Sequence, residues 1–243
     1  MIKDFTFCVC TYNSQETIYS CLSSIRRSFP GAEILVVDHF SNDDTIRIAK
    51  SFGCRIESED IGLGFARQRC LDLSNTEYIV FTDSDVEILD SNFLNRAEIA
   101  LQSKQNGAVV GLALGHRFSY GLPASLLVIR KLDFEGKVIP NYIDARETFF
   151  LQRRLGELQL KTQYFHNAMK HNSQYRKYKP EWEGANTRML PSGVVGELLF
   201  ASKVIFLLSL NSRSMKNVLY LPIFFLKFFR GFANPRPWIR LKR

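Results

Sequence analysis

Acidic residues are missing from the last part of the chain. From Leu198 to Arg243 there are nine Lys or Arg and no Asp or Glu, although the whole chain has 32 basic and 24 acidic residues and a formal net charge of +8. Residues 1–197 therefore carry 23 basic and 24 acidic side chains and are almost neutral. Because the positive charge belongs to the tail, it predicts no nucleic-acid-binding surface on the rest of the chain.

Cysteine is scarce and lacks the spacing of a metal site. The five cysteines are odd in number, form no CxxC pair and mostly lie in apolar surroundings. This pattern predicts reduced thiols in a cytosolic compartment and argues against a zinc site. The N-terminus has no basic segment followed by an apolar one, so no cleaved signal peptide is expected.

Glycine is absent at positions where two classes of nucleotide-binding protein need it. The segment TYNSQE (11–16), after the first apolar run, contains no Gly, whereas a sugar nucleotidyltransferase needs a Gly-rich phosphate loop there. Gly62 and Gly64 are followed at the next motif position by Arg67 instead of Gly or Ala, which argues against a dinucleotide-binding oxidoreductase.

The first half of the chain alternates short apolar runs with helical patterns. This alternation predicts an α/β fold with a mostly parallel sheet covered by helices on both faces, and the length allows one substantial core. The predicted strands are FTFCVC, EILVVD, CRIE, YIVFTD and AVVGLAL, and the predicted helices are 15–27, 44–52, 64–73 and 92–104, with a further helical pattern at 145–155.

Several polar residues follow the predicted strands directly. Thr11, Asp38 and Asp83 each lie just past a strand's carboxyl end, which is the edge of such a sheet where ligands bind. Asp83 and Asp85, in FTDSDVEI, put two like charges one residue apart, and a cation between them would relieve their repulsion. Such an oxygen-rich site suits Mg²⁺ or Mn²⁺.

The chain divides by composition into three parts. We expect a sheet-forming half at 1–115, a second half at 116–190 that is rich in Tyr, Arg, His and Asn and covers the rim with substrate contacts, and a basic, hydrophobic tail at 191–243. The first two parts form one domain of residues 1–190.

The tail contains two apolar segments, LLFASKVIFLLSL (198–210) and VLYLPIFFLKFF (218–229), each interrupted by Lys. Neither is an uninterrupted run of the roughly 18 to 20 residues that cross a membrane. With their aromatic residues and basic flanks, they predict amphipathic helices that lie in an anionic membrane interface. Two alternatives stay open, namely core helices packed on the sheet and a membrane hairpin.

Four segments in order resemble a known family. CTYNSQETIYSCLSSI, ILVVDHFSNDDT, GLGFARQRCLDLSNTEYIVFTDSD and a later helix with an acidic start are similar to the family 2 inverting glycosyltransferases of GT-A fold, over roughly residues 5–190. The resemblance implies transfer of a sugar from a UDP- or GDP-sugar with the help of Mn²⁺ or Mg²⁺. It also implies that 1–115 is the nucleotide-binding half and 116–190 the acceptor half.

The resemblance implies roles for the residues after the first two strands. Thr11, Tyr12 and Asn13 match the loop that lines the nucleotide pocket, and Asp38 matches the acid that binds the base. The family's frequent second Asp is His39 here, and its usual Gly is Phe40. The choice between uracil and guanine therefore stays open.

The resemblance also implies roles around the acid pair. Arg67 matches the Arg of the family's AR segment, which in this chain would contact phosphate or lie exposed on its helix. Asp83 matches the acid near the ribose and contributes to the metal site, Ser84 lies between the acids in the nucleotide-sugar site, and Asp85 matches the principal metal ligand. His166 and His171 are either further metal ligands or ordinary polar residues.

An inverting transfer needs a general base for the acceptor hydroxyl. The resemblance places it at the start of a helix in IDARETFFLQRRL, where Glu147 and Asp144 are the candidates. We favour Glu147, which leaves Asp144 as the helix N-cap.

Taken together, the sequence predicts a metal-dependent inverting glycosyltransferase at the cytoplasmic face of a membrane. The predicted partners are a nucleotide-sugar donor, a saccharide or polyprenyl-linked acceptor and an anionic membrane surface. The alternative from another class is a non-catalytic membrane adaptor on a degenerate transferase fold.

Overall fold

The computed structural model describes residues 4–143, 146–172, 180–213, 216–235 and 237. Within these residues one eight-stranded sheet is flanked by helices. The strands are β1 (Phe5–Thr11), β2 (Glu33–Asp38), β3 (Arg55–Ser58), β4 (Tyr78–Asp83), β5 (Val86–Ile88), β6 (Asn106–Ala113), β7 (Leu126–Arg130) and β8 (Lys161–His171). The helices are α1 (Ile18–Ser28), α2 (Thr45–Ser51), α3 (Leu63–Leu73), α4 (Phe93–Gln102), α5 (Thr148–Glu157), α6 (Pro180–Thr187), α7 (Val194–Ser212), α8 (Lys216–Leu219) and α9 (Leu221–Ala233).

The strand order is β3-β2-β1-β4-β7-β6-β8-β5. The first four strands pair in parallel, as the apolar runs of the sequence predict. The sheet changes direction at β7, which is antiparallel to both β4 and β6, whereas β6 and β8 are again parallel. The predicted α/β architecture is confirmed, and the strands β7 and β8 of the second half are additions to it.

Both faces of the sheet are covered. Along β1, Phe7 and Val9 face one core, with α1 and α4, while Cys8 between them faces a second core, with α3 and α5. Strands β2 and β4 alternate in the same way. This burial on both faces explains why their sequences are almost continuously apolar.

The tail folds back onto the rest of the chain. Phe224 and Phe228 of α9 are fully buried and form a third core with α7. Helix α9 crosses α6 at two glycines: a Cβ on Gly184 would lie 1.9 Å from the carbonyl oxygen of Phe228, and one on Gly231 would lie 1.8 Å from that of Glu181. The backbones of α6 and α9 are therefore in direct contact, across the boundary predicted at residue 190.

Helix α7 is longer than the apolar run that the sequence indicates. Among the described residues it is the one helix that is long and apolar enough, by length and composition, to cross a membrane. Its 19 residues include the turn before Leu198, with Glu197 buried inside the protein. Several large apolar side chains of α7 and α9 stay exposed, namely Val195, Leu199, Phe206, Leu210, Ile223, Leu226 and Phe229.

Candidate active site

The carboxyl ends of β1, β2 and β4 form one rim, and the predicted residues lie along it. Asp38 is buried at the end of β2 and accepts three hydrogen bonds, from Thr11 Oγ1 (2.8 Å), Ser41 N (2.7 Å) and Ser41 Oγ (2.6 Å). A carboxylate offers about four lone-pair sites, and three of them accept these hydrogen bonds, which hold the loop after β2 in place. The predicted contact between Asp38 and the nucleotide base has to use the remaining lone pair.

The loop after β1 is tied to both neighbouring loops. Asn13 has a positive φ of 47°, its backbone N–H donates to Ser41 Oγ at 2.8 Å, and its side-chain oxygen accepts from Asn42 N at 3.0 Å. Ser84, between the two acids, donates to Ser14 Oγ at 3.0 Å. The rim is therefore preorganised by hydrogen bonds between its loops.

Two aromatic side chains stand exposed on this rim. Tyr12 meets the ring of His39 edge-on with centroids 5.4 Å apart, and Phe40 follows with a positive φ of 48°. His39 Nδ1 lies 2.7 Å from Oε1 of the buried Glu59, which the sequence interpretation did not single out. The other oxygen of Glu59 accepts from the N–H groups of Ile61 and Gly62, both at 2.7 Å.

Each acid of the DxD pair faces a basic side chain. Asp83 accepts from Arg67 Nη2 and from Ser125 Oγ, both at 3.0 Å. Asp85 Oδ1 lies 3.4 Å from His171 Nδ1. The hydrogen bond to Asp85 raises the pKa of His171 above its usual value, against the opposing effect of burial. The guanidinium of Arg67 therefore offsets part of the repulsion between the acids.

Arg67 lies in the interior, between two carboxylates. Its Nε donates to Glu147 Oε1 at 2.6 Å while Nη2 reaches Asp83, and its side chain is only 4% exposed. Burial by itself lowers the pKa of Arg67, but Glu147, Cys10 and Asp83 raise it, and the net shift is upward. The alternative that Arg67 lies exposed on its helix is therefore wrong. The phosphate contact stays a prediction. Among the described residues Nη1 is buried and has no hydrogen-bond partner, so it is the atom available for that contact.

Helix α3 brings the segment before Glu147 close to Arg67. The N–H of Gly64 donates to the carbonyl of Ile143 at 3.0 Å, and a Cβ on Gly64 would lie 2.3 Å from that oxygen. One turn on, the buried Gln68 accepts from the N–H groups of Val138 and Ile139. Only glycine at position 64 permits this approach, which the motif around Arg67 does not reveal.

Glu147 occupies the N-cap position of α5, and the helix begins at Thr148. The prediction of Asp144 as the N-cap is therefore wrong. Arg146 takes a positive φ of 61°, so α5 cannot extend back through this residue, and the carboxylate of Glu147 turns toward Arg67. Asp144 itself lies outside the described residues.

The donor set at the rim fits a hard divalent cation that keeps open coordination positions. Asp85 offers carboxylate oxygen and His171 offers imidazole nitrogen, a combination that suits Mn²⁺. In the described part of the chain no group of three or more His, Cys, Asp or Glu side chains forms a ready metal cage. Few protein ligands are typical of sites in which phosphate and water complete the shell.

His166 is not directed at the acid pair. Its Nδ1 lies 3.2 Å from the carbonyl oxygen of His116. Burial and the nearby His171 lower the pKa of His116, so a second imidazole, which the sequence gave no signal for, lies close to His171.

The tail contacts the second half beside the rim. Asn211 near the end of α7 accepts from the N–H groups of Arg117 (2.9 Å) and Phe118 (3.0 Å) and donates to the carbonyl of Phe118 (2.8 Å). Tyr120 in the same loop contacts the ring of Phe200 of α7, with centroids 5.4 Å apart. Helix α7 thus holds the loop that follows His116.

The fold is similar to that of glucosyl-3-phosphoglycerate synthase from Mycobacterium tuberculosis. The complex of that protein with UDP gives a TM-score of 0.60 at 18% identity, covering 77% of each chain. Its complex with Mn²⁺, UDP-glucose and phosphoglyceric acid gives a TM-score of 0.59 at 19% identity, covering 77% of this chain and 76% of that one. At this level of identity the likeness establishes the GT-A fold.

The sequence is also similar to a curated glycosyltransferase. Over 81 residues it is 31% identical to the SPbeta prophage-derived glycosyltransferase SunS of Bacillus subtilis (strain 168), which is 32% of this chain and 19% of SunS. The matched segment therefore spans less than a fifth of that relative.

The family model described as glycosyl transferase family 2 matches residues 6–177. This range contains the whole rim, both acids of the DxD pair, Arg67 and Glu147, and it covers most of the chain. The chain therefore belongs to glycosyl transferase family 2.

Proposed function

We propose that the protein is an inverting glycosyltransferase that moves a sugar from a nucleotide-diphosphate sugar to an acceptor hydroxyl, with the help of Mn²⁺ or Mg²⁺. The observation that carries the proposal is the line of charged groups from Asp85 through Asp83 and Arg67 to Glu147. This line runs from the proposed donor site on the rim to an acid at the start of a helix. A transfer reaction needs both a site for the donor and a base for the acceptor hydroxyl.

The donor side is formed by the rim. The base and ribose lie along Thr11, Tyr12, Asn13 and Asp38, and Ser84 and Asp83 face the ribose and diphosphate. Tyr12 is 60% exposed and offers a ring on which a base can stack. The neighbour crystallised with UDP-glucose and Mn²⁺ supports UDP-sugars as the first donors to test.

Asp85, with Asp83 and His171, would hold the cation. When bound, the cation supplies positive charge that stabilises the leaving diphosphate. Arg67 and Ser125 fix the carboxylate of Asp83 from the protein side, so its orientation does not depend on the ligand.

Glu147 is the proposed general base, and Asp144 is the alternative. The guanidinium of Arg67 holds the carboxylate of Glu147 at 2.6 Å, so an acceptor hydroxyl has to compete with Arg67 for this group. Transfer is fastest if the acceptor hydroxyl, rather than Arg67, becomes the main partner of Glu147 when both substrates are bound.

We further propose that the tail lies on the cytoplasmic face of a membrane and presents the enzyme to a membrane-associated acceptor, such as a polyprenyl-linked saccharide. The exposed apolar side chains of α7 and α9, together with Lys203, Lys227 and Arg230, match the composition of an interfacial surface. Residues 1–190 are then the transferase domain and residues 191–243 the membrane-associating segment.

A donor screen tests the proposed activity. The wild type should bind one UDP- or GDP-sugar in a Mn²⁺-dependent way and hydrolyse it slowly without acceptor, and Asp85→Ala should abolish both. Asp90→Ala is the matched control, because Asp90 is paired with Arg96 away from the rim. Binding that is equal in Asp85→Ala and in the wild type would refute the metal role.

A further inference from the structure

A cavity of about 700 Å³ lies between α5 and α7. Arg146 and Thr148, the two neighbours of Glu147 in the chain, both line it. The cavity thus adjoins the proposed base, and no residue assigned to the donor rim is among those that line it. Within the part of the chain that the structure describes, one wall comes from the transferase domain and the other from the tail.

Most of the lining is apolar. Phe149 contributes from α5, and Leu199, Phe200 and Val204 contribute from α7. Leu199 is also 67% exposed on the outer face of α7. The apolar interior of the cavity is therefore continuous with the exposed apolar surface of the tail, which gives a hydrocarbon chain a path from one to the other.

Among the described residues, the charges in the lining leave one cation without a carboxylate partner. Arg146 is paired with the buried Glu197, and Arg153 is paired with Glu157 at 3.0 Å. The amine of Lys203 lies 3.7 Å from the centre of the Tyr120 ring, and no carboxylate pairs with it among the described residues. Burial raises the pKa of Glu183, an effect that Arg146 opposes and Glu147 and Glu197 reinforce. The lining as a whole holds three basic side chains, Arg146, Arg153 and Lys203, and two acidic ones, Glu183 and Glu197.

An apolar, aromatic cavity with an amine that pairs with no described carboxylate matches an amphiphile that carries a phosphate. We propose that it binds the lipid-phosphate part of the acceptor, with the phosphate at Lys203, the chain leaving past Leu199, and the reacting hydroxyl directed toward Arg146 and Thr148. The proposal rests on the proposed transferase function and adds where the acceptor binds and which chemical group is recognised.

A glycine provides a sharp test. Gly196 lines the cavity, and the space where its Cβ would be is open. The space is also open at Gly156, which lies on α5 and does not line the cavity. Gly196→Phe should fill the cavity without a backbone clash, and Gly156→Phe is the matched control. Binding of decyl phosphate, below its micelle concentration, should weaken about tenfold or more in Gly196→Phe and stay unchanged in Gly156→Phe.

The charge is tested separately. Lys203→Gln should weaken binding of decyl phosphate but leave binding of decyl glucoside unchanged, whereas Lys227→Gln, which removes a tail charge outside the lining, should change neither. Equal binding of decyl phosphate by Gly196→Phe and the wild type overturns the proposal. Equal loss of decyl phosphate binding in Lys203→Gln and Lys227→Gln also overturns the proposal, since that result indicates a general attraction of the phosphate to the basic tail.

Nucleotide-sugar binding, measured in parallel, separates this inference from the proposed activity. All four variants should bind the donor as the wild type does. If no nucleotide sugar binds to any of them while decyl phosphate binding is weakened in Gly196→Phe and Lys203→Gln but kept in the two control variants, the transferase proposal fails and the lipid-phosphate site stands. If inorganic phosphate displaces the probe at the same concentration as decyl phosphate does, the proposed site is contradicted, because the decyl chain then contributes nothing to affinity.

Discussion

Arg67 and Glu147 form an ion pair that is buried on both sides. Nε of Arg67 lies 2.6 Å from Oε1 of Glu147, and the two side chains are 4% and 7% exposed. The residues are 80 positions apart in the chain, and Arg67 also holds Asp83. One guanidinium therefore ties the proposed metal site to the proposed base.

Replacing Arg67 with Met should destabilise the protein strongly. Asp83 and Glu147 would lose their cationic partner, and Glu147 is buried. Removing one member of a buried ion pair costs about 3–5 kcal/mol. The free energy of unfolding, from urea denaturation, measures the loss. Arg153→Met removes the exposed pair with Glu157 and should cost less than about 1 kcal/mol; a similar small loss in Arg67→Met would show that the buried pair is unimportant.

Glu147→Gln should lower turnover by about 10²- to 10⁴-fold, the usual contribution of a general base. Donor binding should stay unchanged if Glu147 lies on the acceptor side, as proposed. Steady-state kinetics with the donor found in the screen provide the measurement, and Glu157→Gln, at the far end of α5, is the control. If Asp144→Asn loses turnover and Glu147→Gln keeps it, the base is Asp144.

His171→Ala should weaken Mn²⁺ binding by about 10- to 100-fold, because the imidazole either binds the cation or orients Asp85. His166→Ala should leave Mn²⁺ binding unchanged, since His166 contacts the backbone of His116 instead. Titration of Mn²⁺ in the presence of UDP, followed by electron paramagnetic resonance, distinguishes the two variants. Equal affinities would remove His171 from the site.

The crossing of α6 and α9 should not tolerate any side chain at its two glycines. Gly231→Ala places a methyl group on the carbonyl of Glu181, and the forced shift should cost about 1–3 kcal/mol or more. Limited proteolysis should then cut the tail faster. Gly196→Ala, where the space is open, should instead stabilise α7 by up to about 1 kcal/mol because alanine favours helix.

The tail surface can be tested with one exposed leucine. Leu226→Glu, on the exposed face of α9, should reduce flotation with anionic vesicles, since a charge replaces an apolar side chain that is 74% exposed. Leu132→Glu changes a leucine that is 67% exposed far outside the tail, and it should float as the wild type does. Equal flotation of both variants would exclude this face as the binding surface.

The sequence was informative where structure depends on local pattern. The apolar runs of β1, β2 and β4 specify buried parallel strands, and strand ends place Thr11, Asp38 and Asp83 on one rim. The partners of these residues come from distant parts of the chain. Nothing near Arg67 indicates Glu147, and nothing near Asp83 indicates Ser125, 42 positions later, because strand order and loop approach determine both contacts.

The second half was harder to predict for the same reason. Strand β7 has the same kind of apolar sequence as β4, yet it runs antiparallel to it, and composition carries no information on direction. Helix α5 was predicted close to its real position. Its start was misplaced because the positive φ of Arg146 follows from tertiary contacts, including the ion pair of that residue with Glu197 of α7.

The three hydrogen bonds of Asn211 have a consequence for how the protein is made. The backbone of Arg117 and Phe118 finds its partner 94 and 93 residues later in the chain. On the ribosome, the sheet and the donor rim can form while this loop still lacks that partner. The loop beside His116 gains these hydrogen bonds only after α7 has emerged, so this loop is completed later than the sheet and the rim.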